Sequence, residues 1–257
     1  MCILFIAVNQ HAKYPLIIAA NRDEFHQRPT QHSQYWPNNP DLLAGIDLQG
    51  GGTWMGVTRH GKFAALTNIR DPHRNNPEAR TRGELVANFL TCNTSIDNYL
   101  EDIKPDNHKY NGYNLLLADL PSLDLRTYNN YLCEEHRLTE GYYGLSNASL
   151  DVPWPKIQRG KHALQSYCET HADINTDALF AILADSTLAD DAQLPQTGVP
   201  HIWEKRLSSI FITGDDYGTR ASTLLFVSRA GTVKWLERSF SATGTVVDQQ
   251  SFTFRLA

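Results

Sequence analysis

Two apolar runs open the chain, Cys2-Ile3-Leu4-Phe5-Ile6-Ala7-Val8 and Leu16-Ile17-Ile18-Ala19-Ala20, and polar residues ending in Pro15 separate them. Short apolar runs bounded by turn-forming residues predict strands buried on both faces, and this spacing predicts an antiparallel hairpin. Pairing Val8 with Leu16 sets Cys2 across from Arg22, with Glu24 near it on the same face and Asp23 on the other. A one-residue slip brings Asn21 or Asp23 over instead. Either register ends the polar tetrad Asn21-Arg22-Asp23-Glu24 beside Cys2.

The polar stretch Phe25 to Asp41, interrupted at Arg28-Pro29 and Trp36-Pro37, predicts a long surface loop. Gly50 to Val57 and Phe63 to Asn68 read as two strands about the turn His60-Gly61. The triplet Gly50-Gly51-Gly52 lacks the Gly-Lys-Ser/Thr that completes a phosphate loop and reads as a tight turn or a close approach. Helical periodicity predicts helices over Arg82 to Phe89, from Ser95 through Ile103, from Pro155 through Tyr167, and from Asn175 or Thr176 through Leu183. Strands are expected at 113–118, 123–128 and 141–145, and again at 209–213, 220–228, 232–237 and 252–256.

Strands and helices therefore come in groups, which disfavours a parallel doubly wound sheet. The arrangement that buries doubly apolar strands is an α+β fold, a four-layer αββα sandwich of two antiparallel sheets with helix pairs outside. No repeat, low-complexity segment or linker divides residues 1–257, so one domain is expected.

Composition narrows the function classes. A net charge of −5 without long runs of one sign gives no footprint for nucleic acid or an anionic membrane. The first apolar run is too short for a signal peptide or a transmembrane segment, so a cytoplasmic, soluble protein is expected. Cys2, Cys92, Cys133 and Cys168 form no Cys-x-x-Cys pair, and no two histidines stand four apart, so neither a structural zinc site nor a metal or other cofactor is predicted.

The candidate chemistry lies in Cys2. If Met1 is removed, Cys2 carries a thiol and a free α-amino group on one residue. A terminal amine with a pKa of about 8 can take the proton of a thiol with a pKa of about 8.5, directly or through one water. Arg22 opposite would favour the thiolate. The alternative is that Cys2 is a small apolar residue opening a buried strand and the tetrad is an ordinary polar turn.

Met1-Cys2, Asn21-Arg22-Asp23-Glu24, Gly52-Thr53-Trp54, Leu66-Thr67-Asn68, Gly144-Leu145-Ser146-Asn147 with Pro153-Trp154-Pro155, and Tyr217-Gly218-Thr219-Arg220 together resemble the NRDE family. That family includes the transport and Golgi organisation proteins, and it is similar to N-terminal nucleophile hydrolases of the cholylglycine hydrolase and penicillin V acylase type. The resemblance implies an αββα fold with Cys2 as nucleophile, Asn68 and Asn147 as oxyanion donors, and Arg22, Glu24 and Arg220 as further catalytic residues. It also implies Asn21, Asp23 and Trp54 as substrate contacts. In the tetrad the hydrolase pattern of an arginine followed three residues later by an aspartate is matched only by Asn21 with Glu24, or by Arg22 with Phe25.

The resemblance leaves two functions open. One is a cysteine amidohydrolase or acyltransferase acting on a linear amide of a small metabolite. The alternative is a non-catalytic binding or trafficking protein that uses the same cleft for haem or lipid as cargo. His26, His32 and His73, in segments that read as polar loops, are the candidate haem ligands.

Overall fold

The computed structural model describes residues 2–257. In chain order the strands and helices are β1 (Cys2–Val8), β2 (Leu16–Phe25), β3 (Thr30–Trp36), β4 (Asn39–Asp47), β5 (Met55–Thr58), β6 (Lys62–Asn68), α1 (Gly83–Thr91), α2 (Ile96–Ile103), β7 (Tyr113–Asp119), β8 (Asp124–Asn129), β9 (Glu134–Leu138) and β10 (Gly141–Leu145). They continue with α3 (Pro155–Thr170), α4 (Thr176–Leu183), α5 (His201–Arg206), β11 (Tyr217–Val227), β12 (Thr232–Phe240) and β13 (Val246–Arg255).

Two antiparallel sheets result, a six-stranded one in the order β10-β1-β2-β11-β12-β13 and a seven-stranded one in the order β3 through β9. The hairpin has the expected register, with Val8 opposite Leu16 and Cys2 opposite Arg22. Alternation along β1 and β2 divides their apolar residues between two layers. Leu4, Ile6, Val8, Leu16, Ile18 and Ala20 face the other sheet and meet Leu43, Val57, Phe63 and Leu116 there. Ile3, Phe5, Ala7, Ile17 and Ala19 face outward and pack under Ile157, Leu164, Leu179 and Leu183 of α3 and α4.

On the other side α1 and α2 cover the seven-stranded sheet through Leu85, Val86, Phe89, Tyr99 and Leu100. The molecule is thus an αββα sandwich. Each large apolar side chain fully buried in these layers contributes about 2 kcal/mol relative to exposure. The outer helix layer lies close on its sheet: a methyl group on Gly160 of α3 would come 2.0 Å from the Phe5 ring.

Several elements differ from the sequence reading. The expected loop 25–41 contains β3 and the start of β4. Here β3 is an edge strand whose pairing with β4 is twice broken in register; Gln31 and His32 are exposed strand positions, while Ser33 is buried and bonded to Glu237. The exposed Glu134-Glu135-His136-Arg137 likewise forms the edge strand β9. The expected strand 209–213 is irregular because its backbone bonds elsewhere: Ile210 and Phe211 both donate to the Asp185 carbonyl, and Ile212 donates to Thr219 Oγ1. Of 50–57, only Met55 onward is strand; Gly52 sits where a methyl group would come 2.4 Å from the Gly83 backbone, the close approach that the triplet permits.

Candidate active site

Cys2 lies at the end of β1, continuing the face of Leu4, Ile6 and Val8, and it opens into a cleft of about 550 Å³ at one end of the sandwich. Arg22, Asp23, Glu24, Trp54, Asn68 and Arg220 line the same cleft. Because β10 pairs with β1 beginning at Leu145 opposite Leu4, the following residues Ser146 and Asn147 run alongside Cys2. Ser146 Oγ donates to the Cys2 carbonyl at 3.1 Å, and Asn147 Nδ2 donates to the Asn68 carbonyl at 2.9 Å. A buried amide relay supports this loop, with Asn114 donating to the carbonyls of Ser146 and Ala148 and Asn129 donating to Asn114.

The tetrad divides by strand alternation. Arg22 and Glu24 face the cleft, where Arg22 Nη2 and Glu24 Oε2 stand 3.9 Å apart and Arg28 Nε lies 3.9 Å from the same oxygen. Arg28 in turn holds Asp47 Oδ2 through Nε and Nη2, at 3.0 and 2.6 Å. Asn21 is 0% exposed and turned to the helix layer. Its amide donates to the carbonyls of Leu183 and Ile210, and its oxygen accepts from Ser222 Oγ. The structure therefore does not bring Asn21 to substrate; all of its polar capacity but one lone pair is used in joining α4, the 210 loop and β11.

Asp23 is buried and accepts from Thr219 Oγ1 at 2.8 Å, and burial holds its carboxyl above the usual range. Asn147 is outside the cleft lining, with its oxygen 3.1 Å from Ser146 Oγ and its amide committed to the Asn68 peptide. Its action on the cleft is through Asn68. Arg220 is the extra residue of a β-bulge, since β11 pairs Thr219 with Asp23 and Ala221 with Arg22. Bulges re-aim side chains. Here the guanidinium turns onto the carbonyls of Phe25, His26 and Arg28 at 2.8 to 3.2 Å and shapes the cleft wall.

Burial dominates the electrostatics of Cys2. The residue is 7% exposed, and its thiol is pushed up to about 11 by burial, with the Asp23 charge adding to the rise and Arg22 and the Asp23 backbone opposing it. Arg22 thus acts in the expected direction but does not overcome desolvation. The expected removal of Met1 falls outside the described residues.

Residues 1–242 match the family described as Transport and Golgi organisation 2. The chain belongs to that family. The Transport and Golgi organisation 2 homologues of Mus musculus and Bos taurus are 38% and 40% identical to it, each aligned over 93% of both chains. The likeness to solved structures is one of fold. A cysteine-to-alanine mutant of conjugated bile acid hydrolase from Clostridium perfringens superposes with a TM-score of 0.54 at 9% identity, covering 100% of this chain and 92% of that one. An arginine-to-leucine variant of the same hydrolase gives 0.53, covering 99% and 98%. This member of the Transport and Golgi organisation 2 family therefore shares the sandwich of that hydrolase.

Sequence reasoning passed over two cations, one lining this family member's cleft and one buried in the helix layer. Arg82, the N-cap of α1, lines the cleft and donates to the Gly112 carbonyl at 2.9 Å; burial lowers its pKa. Lys156 stands at the second position of α3, is 2% exposed, and has its pKa lowered to about 7 by burial and by the Arg70 charge, against the pull of Asp23 and Cys2. A cation at a helix N-terminus opposes the macrodipole. That local contradiction was readable in Arg80-Thr81-Arg82 and Pro155-Lys156 and marks positions kept for something other than helix stability. No group of three or more histidine, cysteine or acidic residues placed to hold a metal ion occurs among the described residues, and none of the described helices is long and apolar enough to cross a membrane.

Proposed function

We propose that the cleft is the site of a cysteine amidohydrolase or acyltransferase acting on a linear carbon–nitrogen amide of a small metabolite. The observation that carries this reading is the placing of Cys2, at the open end of β1, in one cleft with Asn68, Arg22 and Arg82. Once Met1 is removed, the α-amine of Cys2 accepts the thiol proton. Sγ then bonds to the amide carbon, and the oxygen takes the electron pair of the C=O bond. The Asn68 amide donates to that oxyanion, and such a donor is worth about 3 kcal/mol in the transition state. The protonated α-amine gives its proton to the leaving nitrogen as the C–N bond breaks. Water or an acceptor amine then attacks the thioester and frees Cys2. Four free cysteines without a disulfide are in keeping with the cytoplasm as its location.

The test is amine release from a panel of N-acyl amino acids and simple linear amides by protein without an N-terminal tag. Turnover that falls at least about a thousandfold in Cys2→Ala supports the reading; turnover unchanged in that variant overturns it.

One observation favours a second reading, a carrier without turnover: a thiol held at about 11 is a weak nucleophile in the state described. Of the three histidines proposed for haem, only His32 lines the cleft; it lies on β3, with Nδ1 on Ser239 Oγ at 2.8 Å and Nε2 4.0 Å from Asp248. His26 Nε2 is on the Gly214 carbonyl, and His73 lies outside the cleft lining. A haem titration of wild type and His32→Ala tests the carrier reading, and the absence of a spectral change on mixing contradicts haem as cargo.

A further inference from the structure

All but one of the arginines that line the cleft are already engaged. Arg28 is held on Asp47, Arg80 on Glu84 at 2.6 Å, and Arg22 stands 3.9 Å from Glu24. Arg220 spends its guanidinium on the carbonyls of Phe25, His26 and Arg28. The remaining carboxylates of the lining are taken up by neutral donors, Glu237 by Ser33 and Thr223, and Asp23 by Thr219. That leaves Arg82.

Arg82 forms no ion pair with a carboxylate among the described residues, and its side chain makes one hydrogen bond, from Nη1 to the Gly112 carbonyl. Nε and Nη2 have no partner among the described residues and are not buried. These two nitrogens form one edge of the guanidinium fork, the edge that grips a carboxylate through two parallel bonds. Burial already lowers the Arg82 pKa, so an anion on that edge would offset a cost the protein itself leaves unmet.

The position of the fork ties it to the chemistry at Cys2. The Gly112 carbonyl that takes Arg82 Nη1 also accepts from Ile69 N at 2.9 Å, so the guanidinium stands beside the peptide that follows Asn68. The charges of Glu24 and Cys2 both act on it. Its backbone is fixed as well. The carbonyl of Gly83, the next residue, accepts from Thr53 N at 3.3 Å, and Gly52 lies so near that a methyl group there would come 2.4 Å from the Gly83 backbone. The glycine triplet thus seats the start of α1 against the cleft wall, and a side chain carried on a rigid element can select its ligand.

This inference rests on the amidohydrolase reading and narrows its substrate. We propose that Arg82 is a specificity-determining residue of the cleft: the substrate is a linear amide that carries a carboxylate close to the scissile bond, and Nε and Nη2 of Arg82 bind that carboxylate. A carboxylate held there tethers the amide beside Cys2 and Asn68. A site built to pair a substrate's polar group discriminates strongly against an analogue that lacks it.

Binding is measured calorimetrically on the full chain carrying Cys2→Ala, so that the result does not depend on turnover. Two matched pairs put the charge on either half of the amide: N-hexanoylglycine against N-hexanoylglycinamide, and N-hexylsuccinamate against N-hexylsuccinamide. In at least one pair the carboxylate should bind about tenfold tighter or more than its neutral counterpart, and that pair names the half that carries the charge. Arg82→Gln should remove the preference and leave the neutral member bound as before. Arg82→Lys keeps a cation and loses the fork, and should weaken the carboxylate by about threefold to tenfold. Arg82 also holds the Gly112 carbonyl, so unfolding midpoints are read alongside, and the charged and neutral comparison in the Cys2→Ala parent decides even where a variant fails to fold. Equal binding of charged and neutral members in both pairs, or a preference that survives in folded Arg82→Gln, would overturn the inference while leaving the amidohydrolase reading in place. No binding of any of the four compounds would also overturn it, and the amidohydrolase reading would then stand or fall on its own assay of amine release.

Discussion

The two faces of the tetrad on β2 differ more than the residues they carry suggest. Arg22 and Glu24 stand in the cleft with Cys2, loosely paired at 3.9 Å. Asn21 is wholly buried in the helix layer and bonded to Leu183, Ile210 and Ser222, while Asp23 is buried on Thr219 and still lines the cleft. A four-residue signature therefore combines two functions, and strand alternation decides which residue has which. Asn21 fixes where β2, β11 and α4 meet, and the neighbouring Arg22 and Asp23 act on the thiol with opposite sign.

That division can be broken experimentally. The largest effect is expected in the cleft, where Asn68→Ala should lower kcat by about a hundredfold to a thousandfold while leaving the unfolding midpoint close to wild type; a loss of stability without a loss of kcat would place Asn68 with the scaffold. Asn21→Ala should do the reverse. It leaves two carbonyls and a hydroxyl without their partner and should cost about 3 kcal/mol in urea unfolding, with the rate of Cys2 labelling in the folded protein little altered.

Lys156 tests the helix-layer side with a sign attached. Its pKa in the folded chain is about 7, against about 10.4 unfolded, so between those values the unfolded state binds more protons and wild-type stability rises with pH. Below pH 7 the full cost of burying the charge is present. Lys156→Met removes that cost and should stabilise the protein by about 2 kcal/mol at pH 6, with the gain shrinking towards pH 10. A gain independent of pH would show that packing, not charge, is responsible. The smallest effect is expected for Arg22→Gln, less than about 1 kcal/mol in stability but a rise in the thiol pKa of Cys2, read from the pH dependence of its alkylation.

Much of this was legible in the chain. The β1–β2 register followed from two apolar runs and one proline, and it placed Cys2 opposite Arg22 before any coordinates. Ser95 and Asn175 cap α2 and α4 with their side chains as helix-start signals predict. The edge strands β3 and β9 were not legible, because a strand covered on one side presents polar residues that read as loop. Neither was the bulge that aims Arg220, since a bulge is a mismatch between two strands and leaves no mark in either sequence. Lys156 and Arg82 left a trace only as cations at helix starts, and their nearness to Cys2 depends on long-range packing. Asn147, expected as a direct oxyanion donor, lies outside the cleft lining with its amide on the Asn68 carbonyl, a placing that depends on packing between distant strands.

The most direct measurement is the intact mass of protein made without an N-terminal tag, before and after a thiol-directed electrophile, with the modified peptide mapped. Cys133 is exposed and Cys2 is buried, so exposure alone would label Cys133 first. The account predicts loss of Met1 and faster labelling of Cys2 than of Cys92, Cys133 or Cys168. Retained Met1, or a Cys2 that stays unmodified while Cys133 reacts, would contradict it.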